Sequence, residues 1–94
     1  MTDVFDALAA PARRAILDVL AKRDDQTLFE VCGRLASEHE IDLTRQAISQ
    51  HLAVLEQVGL IRAHREGRCK FHSIDLAPLR AAVSRWLDPK EIVE

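Results

Sequence analysis

The sequence predicts a mostly α-helical domain that carries one small β-hairpin. Apolar residues recur at helical spacing in five segments, and two short runs between residues 60 and 74 alternate with period two. Gly67 separates those two runs and supplies a turn residue. With 94 residues, 48% of them hydrophobic and 30% charged, the chain is suited to one folded domain over residues 1–94 with a modest core.

The N-terminal segment predicts two helices. Val4, Phe5 and Leu8 have helical spacing and indicate a short first helix over about residues 3–9. Pro11 fits the first turn of a second helix, where its missing N–H costs nothing. That helix should end near residues 24–25 and bury a stripe of small and aliphatic residues, with Leu17 on its flank. The stripe consists of Ala12, Ala15, Ile16, Val19 and Leu20.

A capping signal opens the third helix. Thr27 and Glu30 form the pattern T-x-x-E, in which each side chain can accept a hydrogen bond from the other residue's backbone N–H. The helix should run to about His39. Its expected buried residues are Leu28, Val31 and Leu35, with Cys32 as a further candidate. The polar, acidic segment 38–42 then predicts the turn into the next helix.

The fourth helix, predicted over about residues 44–58, has two distinct faces. Ile48, Leu52 and Leu55 point inward, and Gly59 is placed to end the helix. The second face, which we call the reading face, consists of Gln46, Ser49, Gln50 and Ala53. A solvated helix more often carries Lys and Glu on such a face. Gln can pair bidentately with adenine and a small side chain permits close approach, so this face indicates contact with base edges.

The hairpin is predicted over about residues 60–74. Ile61 and Ala63 in the first strand, and Cys69 and Phe71 in the second, are expected to point inward. The outward, polar face would then carry Arg62, His64, Arg68, Lys70 and His72. Arg65 near the tip is placed to reach a phosphate or the minor groove. A basic hairpin beside a reading helix is the arrangement of a winged helix-turn-helix.

The net charge of −2 argues against a DNA-binding protein, but the distribution of the charges along the chain agrees with one. Residues 1–42 have a net charge of −4 and residues 75–94 of −1, whereas residues 43–74 have a net charge of +3. A local basic patch can neutralise phosphates while the acidic remainder limits promiscuous binding. A charged hairpin that is merely solvated would explain the same charges.

The last segment predicts a helix over about residues 76–88, capped by Asp75, with Pro78 in its first turn and Pro89 at its end. Its apolar stripe consists of Leu76, Leu79, Ala82, Val83, Trp86 and Leu87, and residues 90–94 are expected to fray. Because a chain of this size cannot readily cover this stripe and that of the first helix, we infer that the terminal helices form a homodimer. The expected interface residues are Val4, Phe5, Leu8, Leu79, Val83 and Trp86. Alternatively, both helices complete the monomer core.

Other functional classes find little support. The sequence has no apolar run of 18 residues and no signal peptide, so we expect a cytoplasmic protein with no membrane contact. There is no phosphate-binding glycine loop and no nucleophile motif, which argues against an enzyme. Cys32 and Cys69 are expected to be small buried thiols, and the four histidines have no ligand spacing. We therefore expect no cofactor and no metal.

The order of these elements, ααα-α-ββ-α, resembles the ArsR family of bacterial winged helix-turn-helix regulators. The matching stretches are FDALAAPARRAILDVL at 5–20, SQHLAVLEQVGLIRAHREGRCKFHSI at 49–74 and the closing apolar helix. The resemblance implies a homodimeric repressor that binds a palindromic operator in double-stranded DNA. The matching DNA-contact positions are Thr44, Arg45, Gln46, Ser49, Gln50 and His51 on the helix and Arg65, Arg68 and Lys70 on the wing.

The chain departs from the metal sensors of that family. Where they carry C-x-C, this chain has LFEVCGRL with Cys32 alone, and its last helix offers Asp75 and Asp88 but no histidine. We carry over no metal site, and no residue identifies a small-molecule inducer, although one is compatible with such a protein. Two alternatives stay open. One is a winged-helix module that binds a protein, and the other is a thiol- or metal-responsive repressor that uses Cys32.

Overall fold

A computed structural model describes residues 3–87 and confirms a mostly helical fold with one antiparallel hairpin. The elements are α1 Val4–Leu8, α2 Pro11–Lys22, α3 Leu28–His39, α4 Arg45–Gln57, β1 Ile61–Glu66, β2 Cys69–Ile74 and α5 Ala77–Val83, followed by a 3₁₀ turn Ser84–Trp86. The predicted stop at Pro89 and the predicted fraying of residues 90–94 lie outside the described residues.

The core lies where α2 packs against α3, α4 and the hairpin. Helical spacing places one face of each helix inward, so the apolar stripes of α2, α3 and α4 meet. The buried hydrophobic residues are Ala7, Ala15, Ile16, Leu17, Val19, Leu20, Val31, Leu35, Ile48, Leu52, Leu55, Leu60 and Ile61. Leu17 is buried with the stripe, whereas Ala12, Leu28 and Cys32 are only partly buried.

The predicted capping box at the start of α3 is confirmed. The Thr27 hydroxyl accepts from the Glu30 N–H at 3.2 Å, and the Glu30 carboxylate accepts from the Thr27 N–H at 3.1 Å. This backbone hydrogen bond lowers the pKa of Glu30, because it favours the charged carboxylate. Two of the N–H groups that have no partner inside the helix are thereby satisfied, which fixes where α3 begins.

Two glycines set the connections around the hairpin. Gly59 has φ +82° and follows α4, as predicted for the residue that ends that helix. Gly67 has φ +60° and forms the two-residue turn with Arg68, so Glu66 pairs with Cys69 and Ile61 with Ile74. This register determines which side chains share each face of the hairpin.

The predicted facing of the second strand is wrong. Directly opposed residues of an antiparallel pair project to the same face, so His72 lies on the inner face with its partner Ala63. His72 is 4% exposed, whereas Cys69 is exposed and Phe71 is only partly buried. The cause is the turn. A two-residue loop fixes the phase of β2 relative to β1, and the period-two pattern of β2 alone does not reveal it.

The α2–α3 connection holds the base of the hairpin. Gln26 and His72 exchange backbone hydrogen bonds, Gln26 N–H to His72 O at 3.0 Å and His72 N–H to Gln26 O at 2.8 Å. The Asp24 carboxylate accepts from the Ile74 N–H at 2.8 Å, and the Asp25 carboxylate accepts from the Ser73 hydroxyl. These contacts orient the wing relative to α3 and α4.

The last helix is shorter than predicted, and its N-cap is Leu76 rather than Asp75. Asp75 nevertheless accepts a hydrogen bond from the Ala77 N–H at 3.0 Å. No residue of α5 is buried, because its apolar stripe has little of the chain to pack against. The regular helix ends at Val83, before the turn that contains Trp86.

Candidate nucleic-acid interface

The reading face is exposed along the length of α4. Gln46, Ser49, Gln50 and Ala53 are all exposed, while Ile48, Leu52 and Leu55 fix the opposite side of the helix in the core. Thr44 begins the helix as its N-cap, and its hydroxyl accepts from the Ala47 N–H at 3.0 Å. The packing therefore presents an uncharged surface of amides, a hydroxyl and a methyl group to a partner.

His51 lies toward α2 and away from the reading face. Its Nδ1 is 3.1 Å from a guanidinium nitrogen of Arg13, and the ring is partly buried. Arg13 also donates to the Ala7 carbonyl at 2.7 Å. Desolvation, and then the neighbouring guanidinium, lower the pKa of His51 because both disfavour the imidazolium. These contacts favour a packing role for His51 over a phosphate contact.

The basic side chains of the wing fall into paired and unpaired groups. Arg62 binds Asp75 at 3.0 Å, and Lys70 lies 3.6 Å from Glu56. Hydrogen bonding from the Ala77 N–H, with the nearby Arg62, lowers the pKa of Asp75. Within residues 3–87, the exposed arginines Arg45, Arg65 and Arg68 take part in no ion pair and no side-chain hydrogen bond. These three cations are available to an anionic partner.

A cavity of about 390 Å³, which we call the wing groove, lies between α3, α4 and the hairpin. Its lining residues are Thr27, Leu28 and Phe29 from the start of α3, Arg45, Ser49 and Leu52 from α4, and Arg68, Cys69, Lys70 and His72 from the hairpin. The groove thus brings Arg45, Arg68 and Lys70 together, and Ser49 belongs to both the groove and the reading face.

Sequence patterns did not identify Phe29, Cys69 and His72 as groove residues. Phe29 is 75% exposed. Helical spacing puts it one position away from the buried stripe of its helix, and that spacing could have indicated its exposure. The positions of Cys69 and His72 depend on the register of the hairpin.

The terminal helices present an apolar patch. Phe5 is 44% and Trp86 61% exposed, and their ring centroids lie 6.0 Å apart. Val4, Leu8 and Leu79 pack partly against the core, and Val83 is partly buried. Phe5 and Trp86 therefore adjoin each other, and α1 contacts α5.

The cysteines occupy different environments. Cys32 is partly buried, and desolvation raises the pKa of its thiol, which disfavours the reactive thiolate. Cys69 is exposed. Among residues 3–87, no three His, Cys, Asp or Glu side chains are grouped to hold a metal ion. The helices in the same range are all too short or too polar to cross a membrane.

Comparison with known proteins identifies relatives of this chain. Residues 8–64 match the family described as "Helix-turn-helix domain". The chain is 38% identical over 85 residues to the uncharacterised HTH-type transcriptional regulator YuzN of Bacillus subtilis. That match covers 90% of this chain and 92% of the relative. It is 33% identical over 87 residues to the transcriptional repressor SdpR of Bacillus subtilis, covering 93% of this chain and 88% of the relative.

A solved structure extends the likeness to the three-dimensional level. The crystal structure of the ArsR family transcriptional regulator RHA00566 superposes with a TM-score of 0.69 at 33% sequence identity. The match covers 93% of this chain and 81% of that one. Nearly the whole length of this chain therefore shares its fold in outline with that regulator.

Proposed function

The chain belongs to the ArsR family of helix-turn-helix transcriptional regulators, and we propose that it is a homodimeric transcriptional repressor that binds specific sequences of double-stranded DNA. The observation that carries this proposal is the uncharged reading face of α4, whose Ser49 lines the wing groove together with the unpaired Arg45 and Arg68. Base edges are read by neutral hydrogen-bonding groups, and phosphates are neutralised by cations.

In the proposed complex, α4 enters the major groove. Gln46 and Gln50 hydrogen-bond to base edges, and Ser49 with Ala53 permits the helix to approach closely. Thr44 lies at the helix N-terminus, where a phosphate is stabilised by backbone N–H groups. This arrangement makes the two glutamines the residues that determine sequence preference.

The arginines hold the backbone in this proposal. Arg45 begins α4, Arg68 lies in the hairpin turn and lines the wing groove with Arg45 and Ser49, and Arg65 lies beside that turn. Lys70 contributes less freely because Glu56 already neutralises part of its charge. Each arginine that neutralises a phosphate releases counterions, so affinity should fall with salt.

Dimerisation is proposed through the patch formed by α1 and α5. Exposed Phe5 and Trp86 would be buried against a second copy of the chain, which would remove apolar surface from water. Two reading helices related by a two-fold axis would bind half-sites about one helical turn apart in a palindromic operator. The repressor role takes support from the relative named as the transcriptional repressor SdpR. Binding to chromosomal operators would place the protein in the cytoplasm.

Selection from a random pool of DNA duplexes tests the proposal. The purified chain should enrich a palindromic sequence whose half-sites are separated by about 10 base pairs. Fusing the selected sequence to a promoter should then lower transcription when the protein is present. Enrichment of no sequence, together with retained binding to a protein partner, would replace this proposal with that of a protein-interaction module.

A further inference from the structure

The wing groove has apolar features that the proposed contact with DNA does not use. Its lining includes Leu52 and His72, which are only 3% and 4% exposed, so the groove reaches from the surface to the core. It also includes Leu28 and Phe29, and the Phe29 side chain is 75% exposed to solvent. The outer surface of a duplex consists of charged phosphates and sugars, whereas its flat rings are stacked inside. A duplex backbone therefore offers no apolar ring to cover this wall.

Cationic side chains line the same groove. Arg45 belongs to α4 and Arg68 to the hairpin turn, and within residues 3–87 neither takes part in an ion pair. Lys70 lines the groove as well, but its Nζ lies 3.6 Å from the carboxylate of Glu56. None of the lining residues carries a carboxylate. The groove is therefore complementary to a ligand with negative charge.

The size of the groove suits a small organic molecule. Its volume of about 390 Å³ lies within the range of about 300–1,000 Å³ that small-molecule sites occupy. Such sites combine apolar walls with a few polar groups that fix the orientation of the ligand. An inorganic anion would leave the Phe29 ring uncovered, and a neutral aromatic molecule would leave the two arginines without a counter-charge. A carboxylate joined to an aromatic ring matches both.

We propose that the wing groove binds a small aromatic carboxylate and that this ligand acts as an inducer by displacing DNA. The carboxylate pairs with the guanidinium groups of Arg45 and Arg68 through charge-assisted hydrogen bonds, and the ring packs against Phe29. The displacement rests on the proposed DNA-binding function, because Arg45, Ser49 and Arg68 are also proposed DNA contacts. A ligand that covers these side chains and a duplex that contacts them exclude each other.

An NMR titration of the DNA-free chain with hydrocinnamate, at fixed ionic strength, tests the site itself. The backbone amides of the lining residues should shift and saturate, with a dissociation constant on the order of a few millimolar. Hydrocinnamamide has the same ring without the charge, and acetate has the charge without the ring, so neither should saturate over the same concentrations. Equal shifts with acetate would mean simple anion binding and would overturn the inference.

Two substitutions localise the ligand in the groove. Arg45→Gln removes a cation and Phe29→Ala removes the exposed ring, and each should raise the dissociation constant of hydrocinnamate at least about threefold. Arg62→Gln and Leu43→Ala are the matched controls, because these exposed side chains lie outside the groove lining, and both should bind like the wild type. Unchanged affinity in Phe29→Ala and Arg45→Gln would place the ligand elsewhere and overturn the inference.

Fluorescence anisotropy with a labelled selected duplex tests the displacement. At a hydrocinnamate concentration about ten times its dissociation constant, the apparent dissociation constant of the duplex should rise roughly tenfold at constant ionic strength. Hydrocinnamamide should leave it unchanged. Unaltered DNA affinity with a saturated groove contradicts the displacement. DNA binding without hydrocinnamate binding removes only this inference, whereas hydrocinnamate binding without any DNA binding removes the proposed function and leaves the ligand site standing.

Discussion

Arg13 donates to Nδ1 of His51 across 3.1 Å and thereby joins the N-terminal helices to the helix that carries the reading face. The same guanidinium donates to the Ala7 and Asp6 carbonyls at the end of α1. Because arginine is always protonated, Nδ1 of His51 must accept, which fixes this ring as the neutral Nε2–H tautomer. One side chain thus positions the proposed dimer patch relative to the proposed DNA surface.

The pairing predicts that acid destabilises the fold through His51. Its pKa is lowered by desolvation and by Arg13, so below about pH 6.5 the unfolded chain binds a proton that the folded chain does not. Stability should therefore fall as pH is lowered. When the pH is lowered from 7.5 to 5.5, the Tm of both proteins should fall. The fall should be smaller in His51→Gln than in the wild type by roughly 1–4 °C. His39→Gln is the control, and an equal drop in His51→Gln and wild type would contradict the pairing.

The capping box of α3 makes a separate prediction about stability. Thr27→Ala removes the hydroxyl that accepts from the Glu30 N–H and should cost about 1 kcal/mol, or roughly 4–8 °C in Tm. Ser37→Ala on the exposed side of the same helix should change stability by less than about 0.5 kcal/mol. Equal Tm values for the two variants in differential scanning calorimetry would show that the cap contributes nothing.

The corrected facing of the hairpin predicts which thiol reacts. Cys69 is exposed, whereas Cys32 is partly buried with a raised pKa, so a thiol reagent should label Cys69 quickly and Cys32 slowly. In a spectroscopic assay with an aromatic disulfide at pH 8, Cys69→Ser should lose the fast phase and Cys32→Ser should keep it. Loss of the fast phase in Cys32→Ser instead would mean that Cys69 points inward after all.

The helices were predictable because their signals are local. Apolar spacing, Pro11 and the Thr27–Glu30 pair each act within a few residues, and the structure places α2 and α3 accordingly. Thr44 and Gly59 likewise mark the start and the end of α4. The exposed reading face followed from the same helical spacing, since fixing one side of α4 in the core determines the other.

The hairpin was less predictable because its facing is set by non-local contacts. Alternation in β2 permits two phases, and the turn together with the Gln26 bridge to His72 selects the one observed. The division of basic residues into paired and unpaired ones also depends on tertiary contacts, as in the pairs Arg62–Asp75 and Lys70–Glu56. Composition could locate the basic patch but could not show which of its charges are free.

The apolar patch predicts the effect of a charge in the proposed dimer interface. Trp86→Glu should shift the protein to monomers, with a dimer dissociation constant raised at least about tenfold, because a carboxylate would be desolvated against a second copy. Phe29→Glu alters an exposed ring on the proposed DNA side and should leave the dimer intact. Sedimentation equilibrium distinguishes them, and an unchanged dimer in Trp86→Glu would place the interface elsewhere.

The division between base readout and phosphate binding predicts different outcomes for Gln50 and Arg65. Gln50→Ala should reduce discrimination at one base pair by about 1–3 kcal/mol while leaving the salt dependence unchanged. Arg65→Ala should instead weaken binding to selected and unrelated sequences alike. Competition binding with single-base variants of the selected operator measures both effects, and equal loss of discrimination in the two variants would contradict the division.

Salt dependence of affinity tests the central claim most directly. Measured for the selected operator between 50 and 200 mM salt, the slope of log K against log salt should be steep for the wild type. It should flatten by about one unit each in Arg65→Ala and Arg68→Ala, the two unpaired arginines at the hairpin tip. Arg62→Ala, whose guanidinium is held by Asp75, should change the slope less. A wild-type affinity independent of salt would contradict DNA binding through this surface.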